Sequence, residues 1–243
     1  MLAIKVYGER NSGTNYLEQL IELNLDVALL KYKPAKTIAP LLKYEIMTDL
    51  LLSYKRPSFL GWKHGCPPLK HINSYPGKLL IITLTKNPYS FLLSLHNKPY
   101  HYKGTKEASF LQFIKSEWKT ILRDHLKLET LSSPMALWNR KNESYYKLIT
   151  DSKHPVVQLT YEELLANPEK FIHQLAKDHK IPLKTPIFQN KESSTKESSQ
   201  RFSNYQDFYL NDKWKEQLTP EVLSIMNDGL DHKLMKQFGY PLL

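Results

Sequence analysis

The stretch Lys5-Val-Tyr-Gly-Glu-Arg-Asn-Ser-Gly-Thr-Asn-Tyr16, with the amphipathic run Leu17-Glu-Gln-Leu-Ile-Glu-Leu23 directly behind it, constrains the fold more than any other part of the chain. Leu2 to Tyr7 is apolar and short enough for a buried strand, and Leu17, Leu20 and Ile21 recur at helical spacing. Between them lies a turn carrying Gly8 and Gly13. Strand, glycine-bearing loop and helix start, in that order, make a cradle for an anion. Successive backbone N–H groups point into the loop, and the helix N-terminus adds partial positive charge. The spacing Gly8-x-x-x-x-Gly13 is that of a nucleotide-triphosphate loop, but Thr14-Asn15 stands where such a loop needs Lys followed by Ser or Thr. Without a lysine for the β- and γ-phosphates and a hydroxyl for Mg²⁺, a kinase or ATPase is disfavoured. Ser12, Thr14 and the backbone N–H groups still suit a phosphate, with Arg10 supplying charge.

The remaining pattern repeats strand and helix. Asp26 to Leu30 reads as a second short strand, and residues 31–57 as loop, helix (about Leu41 to Leu52) and loop. Phe59-Leu-Gly-Trp-Lys63 reads as a strand ending at Lys63-His64. Leu79-Leu-Ile-Ile-Thr-Leu-Thr85 is apolar on both faces, as a central parallel strand should be. It runs into Lys86-Asn87-Pro88, where Pro88 suits the first turn of a helix. Residues 107–128 and 134–149 read as helices, Val156 to Thr160 as a strand, and Asn167-Pro168 as the cap of a helix reaching about His179. Gln189 to Asn204 is rich in Ser, Lys, Asn and Gln and reads as a mobile loop at about 189–204. A last helix is expected from Pro220 to Phe238, stopped by Gly239. The expectation is one α/β domain over 1–243: three layers, a central parallel sheet with helices on both faces, similar to P-loop NTPases. The polar clusters 8–16, 63–64 and 86–94 each follow a strand, so they should converge beyond the carboxyl ends of the sheet.

Composition bounds the partner rather than the fold. The 243 residues carry a formal net charge of +10, which favours an anionic ligand without choosing among nucleotide, glycan, nucleic acid and membrane face. The lone Cys66 precludes an internal disulfide and fits a reducing compartment. No apolar run reaches the roughly 18 residues that a bilayer requires. The apolar start reads as a strand rather than a leader, so a soluble cytoplasmic chain with no membrane span is expected. No His/Cys cluster has metal-ligand spacing, and no metal is expected.

Taken together, these motifs resemble the sulfotransferases that use 3′-phosphoadenosine 5′-phosphosulfate (PAPS). Their first loop, which binds the 5′-phosphosulfate, is matched by Asn11-Ser12-Gly13-Thr14-Asn15-Tyr16, with the basic residue one place earlier than usual, at Arg10. Tyr16 takes the position that stacks on adenine in many members. The family's 3′-phosphate element is an Arg after a buried strand, a Pro two residues on and a Ser eight residues on; here it is Lys86, Pro88 and Ser94. Lysine keeps the charge but not the bidentate geometry. Val157-Gln-Leu-Thr-Tyr161-Glu162-Glu163-Leu164 is similar to the family's Tyr-Glu-Asp-Leu segment, which would put Tyr161 near the adenine. Trp214 to Tyr240 looks like the closing helical segment. Lys191, Lys196 and Arg201 precede it, where many members close a basic loop over the cofactor.

The resemblance implies sulfuryl transfer to a hydroxyl acceptor, a carbohydrate, glycolipid or other hydroxylated small molecule, leaving 3′,5′-ADP. Lys63-His64-Gly-Cys-Pro67 is similar to the segment whose His is the base and whose Lys steadies the leaving oxygen. Glu18 is the rival base, since glycan-modifying members use a Glu on the first helix. His96 and His101 fall on the acceptor side. Two other classes stay open: a nucleotide kinase or NTPase of related fold, and a non-catalytic basic anion-binding protein. No nucleic-acid reader motif is present, and no nucleic acid is expected as a partner.

Overall fold

The computed structural model describes residues 1–31, 44–53, 60–193 and 201–243. The chain runs β1 (Ala3–Gly8), α1 (Thr14–Asn24), β2 (Ala28–Leu29), α2 (Glu45–Ser53), α3 (Leu69–Asn73), β3 (Leu79–Thr85) and α4 (Pro88–Asn97). It continues through α5 (Phe110–Lys115), β4 (Trp118–Lys119), β5 (Thr130–Leu131), α6 (Pro134–Asp151), β6 (Val156–Thr160), α7 (Tyr161–Ala166) and α8 (Pro168–Asp178). The last described elements are α9 (Phe202–Leu210), α10 (Pro220–Gly229) and α11 (His232–Gln237). Among the described residues, β2, β1, β3 and β6 pair in that order as a parallel sheet.

Alternation along the two central strands divides the core. Ile4, Val6, Leu80, Ile82 and Leu84 pack with Leu17, Leu20 and Ile21 of α1 and Ile172 and Leu175 of α8. Ala3, Tyr7, Leu79 and Ile81 face the other way, onto Ile72 of α3 and Tyr145 and Leu148 of α6. Period-two side chains buried on both faces are what a central parallel strand demands, and they give an α/β fold with helices on either side of the sheet. A third cluster joins α4, α5, α6, α10 and α11 around Trp118, Trp138 and Trp214. From β1 the chain passes to α1 on one face, while from β3 it passes to α4 in the cluster with α6. Neighbouring strands whose connections diverge leave a crevice at their carboxyl ends.

Several expectations change. The strand expected over 59–63 has no counterpart in its described part, 60–63. Leu60 and Gly61 take positive φ (53° and 80°). Their carbonyls accept from the Tyr7 hydroxyl (2.6 Å) and the Lys5 ammonium (2.7 Å) rather than from a neighbouring strand. The helix expected over 107–128 is only α5; Ser116 ends it, and Trp118 and Lys119 pair antiparallel with Leu131 and Thr130. The last helix is two, because Asp231 caps a new start by accepting from the Leu234 N–H at 2.9 Å. Residues 41–43 of the expected second helix lie outside the described residues. So do 194–200 of the expected loop, Lys196 among them, whereas Phe202 to Asn204 open α9. Among the described residues, no helix is long and apolar enough to cross a membrane.

Candidate functional site

A cavity of about 590 Å³ opens at the carboxyl ends of β1 and β3. Its wall includes Arg10, Gly13, Thr14, His64, Ser94 and Tyr161. Three separate stretches of sequence therefore meet in one place.

The opening loop is shaped by its glycine. Gly13 sits at φ +86°, and a Cβ there would lie 2.6 Å from the Tyr161 ring. The loop thus needs both the left-handed backbone and the missing side chain. α1 then starts at Thr14 with no side-chain cap, so its first N–H groups face the cavity end of the helix. Gly13→Ala is expected to destabilise the fold by about 2–4 kcal/mol, from backbone strain plus displacement of Tyr161. A urea titration reads this directly.

The other loop residues play different parts. Asn11, at φ 59°, straps the loop to α4 by donating to the carbonyls of Ser94 (3.3 Å) and Lys98 (3.0 Å). Ser12 is buried and gives its hydroxyl to the Glu9 carbonyl, so it shapes the turn. Asn15 and Tyr16 line the cavity, Tyr16 stacked 5.5 Å from Phe202 of α9. Arg10 is 2% exposed, with Nη1 on Glu9 and Nη2 on Asp124, each at 2.8 Å, and its guanidinium 5.0 Å from the Trp62 ring.

Asp124 is the centre of a buried ionic cluster. Its Oδ1 accepts from Lys141 (2.8 Å) as well as Arg10, and Oδ2 accepts from the Ile121 N–H (3.1 Å). Burial pushes this carboxyl up, but the Lys141 ammonium and the Arg10 guanidinium overcome it and hold it below the usual carboxylate range. Lys141 also donates to the carbonyls of His64 (2.7 Å) and Asp124 (3.0 Å), which ties the cluster to the His64 backbone.

His64 lies with Nδ1 2.6 Å from the Gly8 carbonyl oxygen. A carbonyl only accepts, so Nδ1 carries the hydrogen and Nε2 carries the lone pair. The ring meets Trp62 edge-on at 4.9 Å. Burial, then Lys63 and Arg10, hold its pKa well below the ordinary histidine value, although the Gly8 bond pulls the other way. The imidazole is therefore neutral at pH 7.

Lys63 and Glu18 are placed elsewhere. They form an ion pair at 2.5 Å, with Lys63 also donating to Asn15 (2.6 Å). Both line a second depression of about 260 Å³ that Lys5 and Trp62 share. Lys5 is buried on β1, and that burial lowers its pKa to about 7.

Lys86 and Ser94 come together as their eight-residue spacing implies. Asn87 accepts from the Tyr89 and Ser90 N–H groups and caps α4, Pro88 fills the first turn, and the Trp138 indole holds the Lys86 carbonyl at 3.0 Å. Lys86 Nζ then donates to Ser94 Oγ at 2.8 Å and reaches the Asn11 carbonyl at 3.5 Å. Its ammonium lies 3.9 Å from the Tyr209 ring and 5.0 Å from Tyr161. Behind it, Glu162 accepts from the Asn87 N–H (3.2 Å) and the Tyr240 hydroxyl (2.9 Å), joining the carboxyl-terminal segment to the site.

Glu9, Trp62, Asp124, Lys141 and Tyr209 were not expected. Nothing in their local sequence separates them from ordinary surface charges and core aromatics. Among the described residues, no group of three or more His, Cys, Asp or Glu side chains is arranged to hold a metal ion.

Fold and cavity define the class: an α/β protein with a cation-bearing cavity beyond the carboxyl ends of its parallel strands. No family model matches the chain, and no curated protein matches it.

Proposed function

We propose that the protein is a PAPS-dependent sulfotransferase of P-loop-like fold, acting on a hydroxyl acceptor, a carbohydrate or another hydroxylated molecule. The observation that carries this reading is the convergence of the glycine loop, Ser94 and His64 on one cavity, with Lys86 directly behind Ser94 and bonded to it. The residues present fit such a donor. Lys86 and Ser94 offer a cation and a hydroxyl at one point for the 3′-phosphate. The loop from Arg10 to Tyr16 offers backbone N–H groups and the Thr14 hydroxyl for the 5′ end. Tyr16 and Tyr161 offer aromatic faces, and Gly13 lets the Tyr161 ring lie directly against the loop.

When bound, the phosphosulfate supplies the SO₃ group, and the remaining work belongs to the chain. As the acceptor oxygen bonds to sulfur and the bond from sulfur to the phosphate oxygen breaks, the hydroxyl proton passes to His64 Nε2. The helix start and loop N–H groups stabilise charge on the departing phosphate, as in phosphoryl transfer. His64 is the better base than Glu18 because it lines the large cavity, whereas Glu18 is paired with Lys63 in the smaller depression. A bound anion also opposes the two cations that depress the imidazole, so the base strengthens when the site is filled.

Transfer of labelled sulfate from PAPS to a panel of hydroxylated acceptors tests the activity. Because only neutral His64 accepts a proton, kcat/KM should rise with pH through a pKa below 6.5 and stay flat across neutrality. His64→Gln should lower kcat at least about 100-fold and remove the acid limb. A variant that keeps full turnover passes the base role to Glu18 or another group.

A further inference from the structure

Tyr209 stands where an anion would have to sit. Ser94 has one proton and gives it to the Ser90 carbonyl at 2.8 Å. Its lone pairs face Lys86 Nζ at 2.8 Å and the Tyr209 hydroxyl at 3.1 Å, which makes the tyrosine the donor in that contact. The three N–H bonds of Lys86 are likewise accounted for by Ser94 Oγ, the more distant Asn11 carbonyl and the face of the Tyr209 ring. One side chain on α9 thus covers both polar groups of the subsite.

The geometry points to Tyr209 as a specificity-determining residue of the nucleotide site, an internal occupant of the Lys86–Ser94 subsite that only a ligand bearing a phosphate at that point displaces. This inference rests on the nucleotide reading above. A phosphate outcompetes the ring because a charge-assisted hydrogen bond to an ammonium is stronger than contact with a half-buried π-face. A nucleoside without that phosphate has nothing to exchange for the aromatic contact, so Tyr209 stays in place against it. Tyr209 can yield without emptying the core, because α9 has no fully buried residue and the Tyr209 ring lies at the edge of the helical cluster, against Tyr161 of α7 and against Tyr205 and Phe208 of its own helix. Once the ring leaves, the Ser94 hydroxyl loses its second donor and can turn its proton from Ser90 towards the anion.

Calorimetric titration of 3′,5′-ADP and 5′-AMP against wild type, Tyr209→Ala, Tyr209→Leu and Tyr209→Phe tests the assignment. Tyr209→Ala and Tyr209→Leu should bind 3′,5′-ADP roughly tenfold more tightly than wild type, with 5′-AMP changed less than about threefold. Tyr209→Phe keeps the ring and should stay within about threefold of wild type for both. Leu supplies bulk on α9 should the Ala variant prove unstable. Unchanged or weaker 3′,5′-ADP binding in both Ala and Leu variants overturns the assignment, and weaker binding in Phe as well would make the hydroxyl a phosphate donor. A wild-type protein that binds the two nucleotides equally removes the nucleotide reading itself, and this inference with it.

Discussion

Lys86→Ala should weaken 3′,5′-ADP binding by about 2–4 kcal/mol, roughly 30- to 1,000-fold, while leaving 5′-AMP binding within a few-fold of wild type. Lys86 is buried to 2% exposure on the loop after the central strand, with its carbonyl fixed by Trp138 and its ammonium held beside Ser94. A cation that is already desolvated and oriented gives an anion a charge-assisted bond once Tyr209 has yielded. Its removal also releases Tyr209 from Lys86, so circular dichroism and the unchanged 5′-AMP affinity are the controls for a folded site. Lys86→Arg restores the charge but not the fit and should recover only part of the loss. Equal losses for both nucleotides would show that Lys86 supports the fold rather than a particular phosphate.

The largest effect on stability belongs to Asp124, which touches no proposed ligand. Asp124→Ala should destabilise the protein by about 3–5 kcal/mol, because it leaves Arg10 and Lys141 buried with Glu9 as their remaining acidic neighbour. For a chain of this size that corresponds to a fall in Tm of roughly 10 °C. The pH dependence has a definite sign. The Asp124 carboxyl is held below its unfolded value, so its contribution is complete above the ordinary carboxylate pKa and disappears as pH falls through and below that range. Wild-type stability should therefore drop in acid, and the variant's curve should be flatter there. Because Lys141 also holds the His64 carbonyl, the substitution should lower kcat by a mechanism separate from nucleotide affinity. A variant as stable as wild type would mean that the cluster relaxes and rehydrates when its carboxylate is lost.

What could be read in the sequence was what local patterning controls. β1, β3 and β6 are short, largely apolar runs, and the Gly8–Gly13 turn, the Pro88 helix start and the Lys86-to-Ser94 spacing are all local signals. The strand expected before His64 failed for a reason invisible along the chain: the carbonyls of Leu60 and Gly61 are taken by the distant side chains of Tyr7 and Lys5. The helix expected over 107–128 failed because apolar residues at mixed spacing serve a helix or a hairpin equally, and Trp118 pairing with Leu131 decides it. Asp124 and Lys141 look like any surface charges until the fold buries both at 0% exposure. Tyr209 follows the segment read as a loop, in a polar, aromatic-bearing stretch with no distinguishing motif, and its role exists only because α9 lays it on a residue 123 positions away. Arg10 was expected to carry charge to the ligand; its two bound carboxylates make it first a strut that holds the loop to the Asp124 cluster.

Thermal unfolding with 3′,5′-ADP, set against ATP with Mg²⁺, tests the central claim most directly. A ligand that binds only the folded state stabilises it by about 2.7 kcal/mol at a hundredfold excess over Kd, which for this chain is a rise of roughly 5–10 °C in Tm. The account predicts that rise with 3′,5′-ADP and a change of less than about 2 °C with ATP and Mg²⁺, because Thr14-Asn15 replaces the residues a triphosphate and its metal require. A rise with ATP and Mg²⁺ and none with 3′,5′-ADP would contradict it.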